Sequence, residues 1–167
     1  LDALLPGGPE AVTAVVEARQ IPFVTTYKAK GILSEDHPLC LGGAGLSPLA
    51  DRHLLPIVET SDLILCIGYD PIEMRTGWRD AWDVARTRVI DITPESNTHY
   101  MHQSSLPLVA DIPATLAALA VAPQPATLWP GGEIPNTQKA LAQAFPRSDD
   151  WGPAGVIARC IESLPAD

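Results

Sequence analysis

Leu63-Ile64-Leu65-Cys66-Ile67-Gly68 is the stretch that decides the fold. It is an unbroken apolar run, stopped by glycine and entered from Ser61-Asp62. The run is too short to be a helix, and it shows no apolar–polar alternation. A strand of that kind is covered on both faces, as in a parallel sheet between two layers of helix. The sequence around it has the matching rhythm. Pro48 to Thr60 reads as a helix ahead of the run. Arg88-Val89-Ile90-Asp91-Ile92 is a second short strand, closed by Thr93-Pro94. Leu106-Pro107-Leu108-Val109-Ala110 is a third, followed by Asp111 and a helix from Pro113 to Ala120.

Toward the N-terminus, Pro9 to Arg19 predicts a helix, with proline in its first turn and Val12, Val15 and Val16 on one side. Strand 22–26 follows at once. Strands at 22–26, 63–67, 88–92 and 106–110, alternating with helices, predict an α/β class: a Rossmann-like doubly wound parallel sheet with helices on both faces. A unit of this kind normally opens with a strand. Here Leu1 to Leu5 is either the tail of one, or that strand belongs to preceding sequence; the absence of an initiator Met is read as a chain cut from a longer one.

From Val121 the composition shifts. Pro123, Pro125, Pro130, Gly131, Gly132 and Pro135 make a stiff irregular segment. The expected division is a Rossmann-like domain over 1–120, a Pro-rich linker over 121–147 and the start of a C-terminal domain over 148–167. Two helical patterns follow the shift, Asn136 to Phe145 with Asn136 as N-cap, and Pro153 to Ser163.

Composition excludes several classes of function. With 11 Lys plus Arg against 20 Asp plus Glu, the net charge is −9, which repels polyphosphate and leaves no nucleic-acid footprint. No run reaches the length of a membrane span, and no signal peptide precedes the first helix, so no membrane partner is expected. The three cysteines, Cys40, Cys66 and Cys160, form no CxxC unit and point to a reducing, cytoplasmic compartment.

Ile21-Pro22-Phe23-Val24-Thr25-Thr26, Lys30-Gly31, His37-Pro38 and Leu41-Gly42, then Ser61-Asp62-Leu63 through Gly68, Val89-Ile90-Asp91-Ile92 and Val109-Ala110-Asp111, stand in one order and spacing. Taken together they resemble the central domain of thiamine diphosphate-dependent enzymes. Trp151-Gly152-Pro153 onward resembles the opening of that family's C-terminal domain. Within the family, Gly68-Tyr69-Asp70-Pro71-Ile72-Glu73 is most similar to acetolactate synthases that work without flavin. The resemblance implies a carboligase or decarboxylase acting on 2-oxo acids such as pyruvate. It also implies that thiamine diphosphate and Mg²⁺ are held by flanking N- and C-terminal domains and not by this chain. The parent is expected to be a homo-oligomer, and this portion inactive alone. The flavin-using synthases carry Arg where this chain has Asp70, and a carboxylate beside a pyrophosphate argues against FAD.

Candidate site residues follow from the same positions. Gly68, Tyr69, Asp70, Asp91 and Asp111 are placed at or beyond strand carboxyl ends, where open parallel sheets bind ligands; the alternative is that each aspartate caps the next turn or helix. Glu73 and Arg75, followed by Thr76-Gly77 and Trp78, are read as substrate-channel residues in the intact enzyme. Gly42-Gly43-Ala44-Gly45 is either a phosphate-approach loop or a plain turn before the helix at Pro48. His99 and His102, spaced i and i+3, lack a third ligand for a metal, and no nucleophile elbow is present. Besides the thiamine enzyme domain, the chain admits a nucleotide-binding module for FAD or ADP. A sirtuin-like deacylase on a similar fold is opposed by the missing zinc cysteines.

Overall fold

The computed structural model describes residues 2–97, 101–122, 129–146 and 150–164. Five strands and five α-helices appear among them: α1 Gly8–Arg19, β1 Phe23–Thr25, β2 Cys40–Gly43, α2 Pro48–Thr60, β3 Leu63–Ile67, β4 Arg88–Thr93, β5 Leu106–Val109, α3 Ile112–Ala120, α4 Glu133–Ala144 and α5 Pro153–Ser163. Every strand pairing is parallel, as the helix–strand alternation predicts. The strands fall into a pair, β1-β2, and a triple in the order β3-β4-β5.

Two of these findings correct the expectations from sequence. Strand β2 was not expected: Gly42 and Gly43, open between a phosphate-approach loop and a turn, lack β-propensity, and pairing with β1, Phe23 against Cys40, overrides local preference. Second, β3 is not covered on both faces. Cys66 is its one buried residue and Leu63 is 46% exposed, because β3 pairs only with β4 among the described residues and lies at an edge of its sheet.

Two apolar clusters hold the layers. Val12, Val15 and Val16 of α1 meet Ile112 and Leu116 of α3 over Ile92 of β4. Leu41 of β2, Ala50 and Leu54 of α2, and Ile134 of α4 enclose Trp78 and Ala81 from the connection after β3. Leu54, Ile92 and Leu116 are almost wholly shielded from water. Truncating any of them to Ala should cost about 2–5 kcal/mol.

The helix ends follow from local chemistry. Ser47 accepts from the Ala50 N–H at 3.3 Å, with Pro48 at the first position of α2. Asp111 accepts from the Ala114 N–H at 2.8 Å and starts α3. The N-cap of α4 is Gly132, left-handed at φ 77, and not Asn136, which lies one turn inside the helix. Pro135 fits the first turn there, where its missing N–H costs nothing. Ile134 and Leu141 bind α4 to the cluster around α2, and Gln138 Nε2 donates to the Pro38 and Cys40 carbonyls. Helix α5 buries none of its residues; Val156, Ile157 and Ile161 are exposed.

Candidate functional site

The carboxyl ends of β1, β2 and β3 converge on one crevice, lined by Thr26, Tyr27 and Lys28, by Ala44 and Leu46, and by Asp70, Ile72 and Met74. In an open parallel sheet this is the place for a ligand. The space inside is small, about 10 Å³, while beside it a wider, open hollow of about 500 Å³ is lined by Tyr27, Lys30, Gly42, Gly43, Leu46 and Phe145. What fills the crevice is the connection after β3. Met74 lies over Gly45, whose φ of +91° suits glycine alone, and the Arg75 N–H donates to the Gly45 carbonyl at 2.9 Å. Gly45 is held from the other side by Asp51, buried in the first turn of α2, whose carboxylate accepts the Gly45 N–H at 2.9 Å. The loop 42–45 is thus part strand and part anchored turn.

The predicted site residues have the following places. Gly68 ends β3 at φ 54, its N–H donating to the Ile92 carbonyl at 2.8 Å. A side chain there would run into the backbone of Ala3. Asp70 caps the 3-10 turn Pro71–Glu73 by accepting from the Ile72 N–H at 3.0 Å, and Asp111 caps α3, so both do the work of turn and helix initiation. Asp91 lies inside β4 rather than past its end, in register with Cys66, and is buried; Asn97 Nδ2 donates to it at 3.3 Å. Glu73 belongs to the 3-10 turn, and Arg75 is exposed at the start of the next one, Thr76–Trp78. The structure brings Tyr69 and Asp70 to the mouth of the sheet and leaves Asp111 at the start of α3. The His99 half of the histidine pair lies outside the described residues.

A group that sequence spacing did not assemble stands beside Tyr69. Its hydroxyl is 2.9 Å from His102 Nδ1, and the two rings are parallel within 1° at 5.7 Å. Trp82 packs on His102 at 4.5 Å, and its Nε1 donates to the Gln103 carbonyl. His102 Nε2 donates to the Trp78 carbonyl. Contacts between positions 33 residues apart leave no local pattern; the density of aromatics in 69–82 was the one available signal.

The chemistry on offer is limited. Burial, with the Asp91 carboxylate adding to it, pushes the Cys66 thiol well above its ordinary range, so it stays protonated and unreactive. Burial likewise raises the Tyr69 phenol, reinforced by Cys66, Asp70 and Asp91. The described residues contain no group of three His, Cys, Asp or Glu able to hold a metal ion. A diphosphate with its divalent cation needs such oxygen donors and open space. The crevice under Met74 supplies neither, so it does not fit thiamine diphosphate. No helix among the described residues is long and apolar enough to cross a membrane.

The family described as thiamine pyrophosphate enzyme, central domain, matches residues 2–119. The chain is 37% identical over 116 residues to an acetolactate synthase of Bacillus subtilis (strain 168), covering 66% of this chain and 20% of that protein. It is 28% identical over 138 residues to a 3D-(3,5/4)-trihydroxycyclohexane-1,2-dione hydrolase of Geobacillus thermodenitrificans (strain NG80-2), covering 83% and 21%. A protein of the same name from Lacticaseibacillus casei is 28% identical over 109 residues, covering 65% and 16%. The chain spans about a fifth or less of the length of these curated relatives.

Proposed function

We propose a function from one premise: the chain belongs to the central-domain family of thiamine pyrophosphate enzymes. In our reading it is the structural middle of an acetolactate synthase-like enzyme acting on 2-oxo acids such as pyruvate. It joins two flanking domains that hold thiamine diphosphate and Mg²⁺, and it lines one side of the substrate channel through the connection that carries Glu73 and Arg75. Bound in those domains, the cofactor would supply the electron sink for 2-oxo acid chemistry. This chain supplies rigidity and a wall.

The observation that carries the reading is the closed crevice. A nucleotide module needs open space with phosphate donors at its strand ends, whereas the crevice between the ends of β2 and β3 is filled by Met74 and faced by Asp70. The identity to the Bacillus subtilis acetolactate synthase favours that reaction class over the hydrolase, although the hydrolase match covers more of the chain. A homo-oligomeric parent completes the proposal, and its placement in the cytoplasm is supported by free Cys40, Cys66 and Cys160, which suit a reducing compartment.

The test is a chimera in which this chain replaces the matching segment of the Bacillus subtilis acetolactate synthase. Acetolactate formation from pyruvate by the chimera, and none by the chain alone, is the expected result. A soluble chimera that binds thiamine diphosphate and yet makes no acetolactate would contradict the reading.

A further inference from the structure

The connection from Asp70 to Trp82 makes few bonds of its own. It consists of the 3-10 turns Pro71–Glu73 and Thr76–Trp78 and their closing hydrogen bonds. Short 3-10 turns do not hold a fixed position without support. On its inner side the support is the Arg75 bond to Gly45 and the burial of Trp78. On its outer side it is the segment 101–105.

That segment is anchored at its far end. The Ser105 N–H donates to the Val89 carbonyl at 2.9 Å, and Ser105 Oγ accepts from the Val89 N–H at 3.1 Å, which fixes it to β4. Its near end is His102. The Nε2 atom faces the Trp78 carbonyl, which can only accept, so Nε2 carries a proton in every state of the ring. The Nδ1 atom meets the Tyr69 hydroxyl at the start of the same connection. One imidazole therefore ties both ends of the turn region, Tyr69 and Trp78, to a strap rooted in β4, and Trp82 closes over it.

We propose that His102 is a positioning residue: by bridging Tyr69 and Trp78 it sets the place of residues 70–78 at the carboxyl edge of the sheet. The proposal leans on the channel-wall reading only for what that segment faces in a larger enzyme; the ordering itself is a property of this chain. Arg75 stands in the ordered segment and Arg52 in α2, so native-state trypsin cleavage reports on both. His102→Ala should speed cleavage after Arg75 about tenfold, and Tyr69→Phe, which keeps the ring stacking, about fivefold, as the loss of one or two hydrogen bonds implies. Cleavage after Arg52 should stay within about twofold of the unmodified chain, since α2 opens only with the core. His102→Gln, which retains one donor and one acceptor, should fall between the unmodified chain and His102→Ala. Unchanged cleavage after Arg75 in both His102→Ala and Tyr69→Phe, or a rise matched after Arg52, would overturn the proposal. Neither result depends on the chimera, so the two readings fail separately.

Discussion

Met74 covers Gly45 so closely that a β-carbon on Gly45 would stand 2.0 Å from the Met74 sulfur. This contact fills the crevice between the carboxyl ends of β2 and β3. It depends on a glycine at φ +91°, so Gly45→Ala meets two penalties, backbone strain and a clash. The expected loss is about 1–3 kcal/mol in urea-induced unfolding. Adding Met74→Ala removes the clash and leaves the strain, so Gly45→Ala should cost less in a Met74→Ala background than in the unmodified chain.

The same closure bears on flavin. With about 10 Å³ of space and the Asp70 carboxylate at its mouth, the chain should show no heat of binding with FAD up to about 100 μM, a limit of roughly 5.5 kcal/mol. Asp70→Arg should strengthen any weak interaction, since it replaces like-charge repulsion by a phosphate partner. Isothermal titration of both proteins checks this. Micromolar binding by the unmodified chain, not improved in the variant, would show that the loop is misread.

Alkaline pH should destabilise the fold through Cys66. Its folded pKa is raised above the unfolded value, so the unfolded chain loses its proton first. The stability is fully present below about pH 8.5 and declines above it, by at most about 1.4 kcal/mol per pH unit for this thiol. Tyr69, raised by burial, adds to the decline above about pH 10. Unfolding midpoints between pH 8 and 10 should fall in the unmodified chain and fall less in Cys66→Ala. With a thiol reagent, Cys160 should react at once and the buried Cys66 only on unfolding.

Helix α5 contributes no buried residue, and Trp151 ahead of it is 95% exposed. Removing residues 147–167 should therefore leave the unfolding free energy within about 0.5 kcal/mol. A larger loss in denaturant titration would mean that α5 packs on the layers in solution.

The parallel α/β layering was legible because it rests on local signals: valines at helical spacing in α1, Pro48 behind Ser47, Asp111 ahead of α3, and the apolar run 63–67. Strand β2 was not, since two of its residues are glycines and its existence depends on β1 beside it. The cap of α4 was misplaced because Gly132 caps by adopting a left-handed backbone, where no side-chain oxygen announces it. At the candidate site, the stations of Gly68, Tyr69 and Asp70 after β3 followed from the strand. The Tyr69–His102 bond and the seat of Met74 on Gly45 are long-range contacts without a periodic trace. Asp91, read as a strand-end group, lies two residues inside β4, which runs on through Thr93.

The central proposal is that this chain is a structural part of a larger thiamine enzyme whose cofactor is held by other domains. The most direct measurement is pyruvate turnover by purified residues 1–167 with saturating thiamine diphosphate and Mg²⁺, followed as CO₂ release and acetolactate. The account predicts a rate equal to that of the cofactors without protein. Turnover above that blank, abolished by heat denaturation, would contradict it.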